Sequence, residues 1–501
     1  MWNFNRRWQL VAALSLNCLL HLAMRNSAAA DAPKAPPETK PQAETRPSGP
    51  SVFKMILHPS AITQPVLQYR LLPDLTEQEP GNAATLYAIA ARILPSYDDD
   101  PDAWSAVNYP DELELPQLAH DAKAERLLKL CAAKLRYLDL AGHRSEAHWD
   151  EGFRDRGLWQ RAPYSMDLKL FANLQTLQAR FQISRGNLPG ALRTMQNGLA
   201  MARHMSRDST LSLMGSNAVI MILQEPGFDW VGLEHSPNLY WALSSLPTPF
   251  FSLQDTSEKD QAELYFTIPT LRRARDGELT PDEWSQALRD LIRIKKLNQS
   301  SFSRESDAPP TAGPPAELIQ KALPQAKDFL LSLGISREKV EAMPPVQAVG
   351  RFFFEQYRDA SDDVWGAWQL PYWQAIEPLL RVKRLYACQQ KDGIPNPFLA
   401  DLPFSWHKRT YITVSEQLIA LLRVVEALRD YTATHDGQPP DRLDQITAVP
   451  IPPDPFTGKP FGYKRDGRQA VLLALAPKIE GWGAGNGYRL EITFASAPPS
   501  K

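Results

Sequence analysis

The strongest hydrophobic periodicity in the chain lies between Asp167 and Met205, DLKLFANLQTLQARFQISRGNLPGALRTMQNGLAMARHM. Apolar residues recur three and four apart on either side of a break at Arg185–Gly190, which predicts two helices joined by a short turn. Ala179, Ala191, Met195 and Gly198 fall where the two helices would meet. Small residues there allow close antiparallel packing, the layout of one tetratricopeptide-like helical hairpin.

Helical spacing continues to either side. Gly81 or Asn82 would cap a helix with Ala83, Leu86, Ala90 and Ile93 on one face. Leu211–Leu223 reads as a third buried helix. Pro237–Leu243 (PNLYWAL) opens a short one, in which Tyr240–Trp241 suits a packing anchor better than an aromatic ligand shelf. Ala316–Leu333 and Arg337–Tyr357 are helical in pattern, broken at Gly334 and Pro344–Pro345. Val414–Thr434 is the cleanest amphipathic stretch. Leu418, Leu421, Leu422, Val425 and Leu428 line one face, and Glu416, Arg423, Glu426 and Arg429 lie toward the other. Beyond it the period shortens to two. A turn-rich approach leads into a strand at Tyr463, with further strands at Ala470–Ala476 and Tyr488–Phe494. The fold class expected is mainly α, with irregular or tetratricopeptide-like helical hairpins and a small C-terminal helix-plus-β-hairpin (α+β) module.

Composition narrows this picture. The 501 residues exceed one small core, and 43% hydrophobic with 22% charged residues marks a globular chain. A net charge of -2 gives no basis for nucleic-acid binding. Met1–Ala30 has the three parts of a secretory signal: Arg6 and Arg7, the apolar Leu10–Met24, and small residues at Ala28–Ala30. Cleavage there gives an exported periplasmic, envelope or extracellular protein, and retention gives an anchored one. No later run reaches the roughly 20 apolar residues a spanning helix needs.

After the leader, 31–50 reads as a disordered linker. Residues 51–299 read as a helical domain containing the hairpin (167–205), 300–315 as a second linker, 316–413 as a second helical region, and 414–497 as the α+β module. Cys18 lies in the leader. Cys131 and Cys388 are either one long-range disulfide or two small apolar residues.

Candidate chemistry is sparse. Asp98–Asp102 (DDDPD) is acidic, but a proline interrupts it and no glycine follows, so a solvated loop is the better reading than a calcium site. His143, Glu146, His148 and Asp150 cluster without H-E-x-x-H spacing, and metal binding is not expected of them. Asp276, Gly277 and Glu283 occupy EF-hand positions, yet Arg272 and Ala274 stand where two carboxylates belong. Thr280, Pro281 and Glu283 instead make a capping box. Ser51 with Lys54 and Ser336 with Lys339 satisfy S-x-x-K but have no S-D-N or K-T-G partner. Trp365, Trp368, Tyr372 and Trp373 crowd together, suiting core packing better than a sugar platform. No catalytic, cofactor-binding or metal-binding residue is assigned.

Two resemblances follow from longer stretches. The helix at Glu416, the proline-rich approach, Asp454–Tyr463 (DPFTGKPFGY) and the strands to Phe494 together resemble the C-terminal module of type II secretion pseudopilins. The acidic calcium loop of those modules is replaced here by Glu480–Gly487. Tyr69–Pro73, Pro80–Ala84, Ala191–His204, Pro237–Leu243, Val340–Pro344, Leu370–Ala375 and Asp454–Tyr463 together resemble a family of uncharacterised secreted bacterial helical proteins. That resemblance implies no catalytic residue. The function expected is a secreted or envelope-associated helical scaffold that binds a protein or peptide. The alternatives are an envelope hydrolase acting on glycan or peptide, with convergent carboxylates or a Ser/His pair beside Trp365–Trp373, and an accessory component of a secretion or pilus-like system.

Overall fold

A computed structural model describes residues 50–94, 104, 113–149, 165–206, 212–251, 258, 262–274, 279–299, 316–391, 394–399, 403–477 and 487–496. The leader, all but the end of the first linker, Asp98–Asp102, Asp150, Asp276–Glu278, the 300–315 linker and Glu480–Asn486 lie outside the described residues.

The chain opens with a strand, β1 (Ser51–Leu57). Strand β2 (Glu79–Asn82) leads into α1 (Ala83–Arg92), where the Asn82 side chain caps the helix by accepting from the Ala84 N–H. Helices α2 (Ala122–Leu130) and α3 (Ala132–Gly142) follow, and β3 (Arg144–Glu146) pairs in parallel with β2. The expected hairpin is present as α4 (Ser165–Ser184) and α5 (Leu188–Ser206). Asn187 starts α5 by accepting from the Gly190 N–H at 3.1 Å. The third helix, α6 (Ser212–Gly232), runs past the predicted end at Leu223 and carries Pro226 inside it.

Helix α6 lies along both α4 and α5, and α3 packs on α5. Both hairpin helices are therefore core elements, with little free surface to present. A Cβ at position 198 would sit 2.6 Å from the Ile222 side chain, so α5 and α6 close together only over a glycine.

The second half is helical as far as the C-terminal strands. Helix α7 (Tyr240–Ser244) and α8 (262–267) precede α9 (Pro281–Gln299). The capping box at the start of α9 is formed: Thr280 N–H donates to Glu283 at 2.9 Å, and Glu283 N–H donates to Thr280 Oγ1 at 3.3 Å. Then come α10 (Ala316–Ser332), α11 (Arg337–Ala342), α12 (Pro345–Trp368) and α13 (Tyr372–Lys391). Helices α9 and α10 pack on α12, α12 on α13, and α13 on α14 (Pro403–Thr434), which also lies against α6 and α7. The helix expected from Val414 thus starts at Pro403.

Helix α14 overturns the amphipathic expectation. Glu426 and Arg429, assigned above to a polar face, both have side-chain exposures of 0%. Neighbours cover the whole circumference of α14 here, so its charges pair inside the protein. Arg429 Nη1 donates to Glu426 Oε2 at 2.9 Å, Nη2 donates to the Ser236 carbonyl at 2.7 Å, and Nε donates to the His58 carbonyl at 3.1 Å. The other Glu426 oxygen accepts from the Leu239 N–H at 3.0 Å. Asn238 donates to the carbonyls of Ser60 and Glu426, and Asp430 accepts from the Ile62 N–H. One turn of α14 thereby holds the segment leaving β1 and the segment entering α7. Tyr240, fully buried, packs edge-on against Trp241 at 5.2 Å and serves as a packing anchor.

Strands β4 (Gly462–Asp466), β5 (Gln469–Leu475) and β6 (Gly487–Phe494) match the predicted C-terminal strands. The sheet order is β1-β6-β5-β4, antiparallel except where β1 runs parallel to β6, from Ser51 opposite Tyr488 to Leu57 opposite Phe494. The fourth strand was not expected. A parallel pair needs a crossover connection, and here that crossover is nearly the whole chain, so no local turn signal announces it. The fold is mainly α with a small C-terminal strand module, and one apolar core runs continuously from Leu57 through α4–α6 and α14 to Phe494. Among the described residues no helix is long and apolar enough to cross a membrane.

Candidate binding face on the sheet

The Asp454–Tyr463 segment positions the sheet, and each of its conspicuous residues has a packing role. Asp454 Oδ1 accepts from its own loop at the Phe456 N–H (2.9 Å) and from Gln417 of α14 (3.0 Å). Burial pushes the Asp454 carboxyl above its ordinary range, partly offset by those two hydrogen bonds. Phe456 meets Tyr372 edge-on at 4.8 Å. Gly458 turns with φ +66, and a Cβ there would fall 2.7 Å from the Trp373 ring, so both conformation and space require glycine. The Tyr463 hydroxyl donates to the Pro440 carbonyl at 3.0 Å. The motif is a clasp that seats the strands on α14.

Strand alternation then divides the sheet into two faces. Phe53, Met55, Leu57, Leu472, Leu490, Ile492 and Phe494 turn inward; the Phe53 ring lies 4.9 Å from Phe228 of α6. The outer face follows from the registers. One row across it is Val52, Arg489, Leu473 and Gly462; the next is Lys54, Glu491, Val471 and Lys464; the third is Ile56, Thr493, Gln469 and Asp466. All of these except Val52 line an open trough of about 990 Å³.

Two properties of the face stand out. Its centre is apolar where a solvated face should be polar: Val471, Leu473 and Leu475 follow one another along β5, and Leu475 is 48% exposed. Ile56 on β1 adds a side chain that is 56% exposed. Charges surround this stripe. Glu491 is engaged by Lys54 at 3.7 Å and Arg489 at 3.0 Å, while Lys464 and Asp466 on β4 have no ion pair among the described residues. Such exposed pairs contribute little to stability. The signal that could have found this face was the sequence of β5 itself. QAVLLAL is apolar at both parities, the texture of a strand covered on both sides.

The residues singled out from sequence scatter elsewhere. His143 bonds the Asp139 carbonyl at 2.9 Å and His148 bonds Glu146 at 3.0 Å, so the two rings serve different partners. Ser51 and Lys54 sit at odd separation on β1 and face opposite ways, and Ser336 caps α11. The tryptophan-rich region divides. Trp368 and Tyr372 are buried, whereas Trp365 and Trp373 are 41% and 40% exposed. Of the carboxylates on the same two helices, Asp363 pairs with Arg381 at 3.6 Å and Glu377 with Arg384 at 2.6 Å, while Asp362 has no cationic partner among the described residues.

Cys131 and Cys388 are unbonded; Cys131 is buried and Cys388 exposed. Burial raises the Cys131 thiol to about 11, which suppresses the reactive thiolate at ordinary pH. A chain starting at Asp31 should therefore show one rapidly titrating thiol with Ellman's reagent at pH 8 when folded and two in denaturant. Two rapid thiols in the folded chain would contradict this arrangement.

The chain matches no protein-family model, no curated protein and no solved structure.

Proposed function

We propose that this protein is an exported, envelope-associated binding protein whose working surface is the outer face of the β1-β6-β5-β4 sheet. The observation that carries the reading is the apolar stripe Val471–Leu473–Leu475, with Ile56, on the open side of a strand whose sequence is that of a covered one. Exposed apolar patches framed by charge characterise protein-binding surfaces. The leader supports export. The hairpin α4–α5 contributes rigidity: both helices are packed into the core that backs the sheet through α6 and α14.

A second reading, in which the partner belongs to a secretion or pilus-like assembly, is favoured by one feature. A long helix, α14, is followed by three antiparallel strands, the layout resembling a pseudopilin C-terminal module.

The test uses the chain from Asp31 onward as bait for a cell-envelope extract, beside the variant L473D/L475D. Both substitutions lie on the outer face, so circular dichroism should show both chains folded. A protein captured by the parent should fall at least about ten-fold with the variant, equivalent to ~1.4 kcal/mol. Light scattering on the parent separates self-association from a foreign partner. Equal capture by both chains, with both monomeric, would refute the sheet face as the binding surface.

A further inference from the structure

A second, open cleft of about 470 Å³, sharing no residue with the sheet face, lies between α8 and α12. That is within the usual size range of small-ligand pockets, about 300–1,000 Å³. Helix α8 contributes Ala262, Tyr265 and Phe266, spaced so that they share one face. Helix α12 contributes Tyr357 and Ser361 one turn apart, and Arg358 and Asp362 one turn apart. Arg272 comes from the single turn Leu271–Ala274. Tyr357 and Ser361 are buried at its base, and Arg272 and Asp362 are exposed at its rim.

The charges of this cavity are not balanced against one another. Arg358 is neutralised by Glu355 at 2.9 Å. The Arg272 guanidinium lies over the Phe266 ring at 5.5 Å and has no carboxylate partner among the described residues. Asp362 has no cationic partner among them either. Among the described residues this one cavity thus carries a cation without a counter-ion, an anion without a counter-ion, and aromatic walls from Tyr265, Phe266 and Tyr357. A simple anion would suit Arg272 but face the Asp362 charge, and a simple cation would do the reverse. A neutral apolar ligand would leave both unanswered.

We propose that this cavity binds a zwitterion with an aromatic side chain, a free α-amino acid or a dipeptide. Its carboxylate lies on the Arg272 fork, its ammonium group on Asp362 and its ring against the aromatic walls. The proposal goes beyond the sheet-face reading and does not depend on it.

Calorimetric titration of the chain from Asp31 with L-phenylalanine and with L-phenylalanyl-L-phenylalanine tests it. At least one probe should bind, and masking either end should weaken it about ten-fold or more, as loss of a charge-assisted hydrogen bond does. N-acetyl-L-phenylalanine removes the ammonium group and L-phenylalaninamide the carboxylate. R272Q should abolish the preference for L-phenylalanine over its amide, and D362N the preference over its N-acetyl derivative. Both substitutions are on exposed side chains, so the variants should fold, and L473D/L475D should bind as the parent does. No heat with either probe, or binding indifferent to both R272Q and D362N, would overturn the assignment.

Discussion

Replacing Arg429 by methionine will lower the stability of the folded chain by about 3–5 kcal/mol. The guanidinium is fully buried and supplies donors to Glu426, Ser236 and the His58 carbonyl together. Methionine fills much of the volume but leaves the Glu426 carboxylate in the core with only the Leu239 N–H for company. The part-buried His58 carbonyl loses its Arg429 donor in the same step, and the Ser236 carbonyl is left with the Ser60 hydroxyl alone; unsatisfied buried groups are costly. The measurement is a urea unfolding curve of R429M beside the parent. The double variant E426L/R429M should recover part of the loss, because it removes the stranded charge as well as its partner.

The pH dependence of R429M has a definite sign. Burial already pulls the Glu426 carboxyl upward, with Arg429 as the chief opposing influence. Without Arg429 that carboxyl holds its proton more tightly folded than unfolded. The deficit of R429M relative to the parent should therefore be smallest below the ordinary carboxylate pKa and grow as pH rises through the folded value of Glu426. A variant within 1 kcal/mol of the parent at neutral pH would show that the buried pair is not the fastening described here.

The second large effect is expected at Trp284. Its side chain is 2% exposed, meets Phe354 edge-on at 6.0 Å, and occupies the space that a Cβ on Gly350 would invade at 2.6 Å. A ring from α9 is set into a hollow on α12. Trp284→Ala empties that hollow and should cost about 3–5 kcal/mol. G350A approaches the same contact from the other side and should cost about 1–3 kcal/mol by overpacking. Calorimetric melting of both variants checks the pair. A neutral Trp284→Ala would mean that α9 and α12 do not depend on this contact.

What could be read from the sequence was local. The α4–α5 hairpin, the caps at Asn82 and Thr280 and the strands β4–β6 are each specified by residues within a few positions of one another. Apolar spacing, capping chemistry and turn residues report them directly. What escaped depended on distant neighbours. Glu426 and Arg429 occupy positions that any helical wheel assigns to solvent, and only the segments around His58 and Ser236 make them interior. Strand β1 went unread because its partner strand lies at the other end of the described chain. The candidate face was half visible. QAVLLAL announced a strand apolar on both sides, yet which side stays open is decided by where α6 and α14 pack.

The pairing of β1 with β6 also fixes an order of events. During synthesis Ser51–Leu57 emerges before any of the described helices, while Gly487–Phe494 is made only after all of them. Until then β1 has no strand to lie beside, and its unsatisfied backbone edge and inward-facing Phe53, Met55 and Leu57 are open to any other extended chain. For most of translation the sheet is an unclosed loop with one end waiting. A nascent chain cut short before Gly487 would leave the ribosome as a sticky strand on a nearly complete helical body. Prompt binding of that strand by a chaperone would protect it until the partner strand arrives.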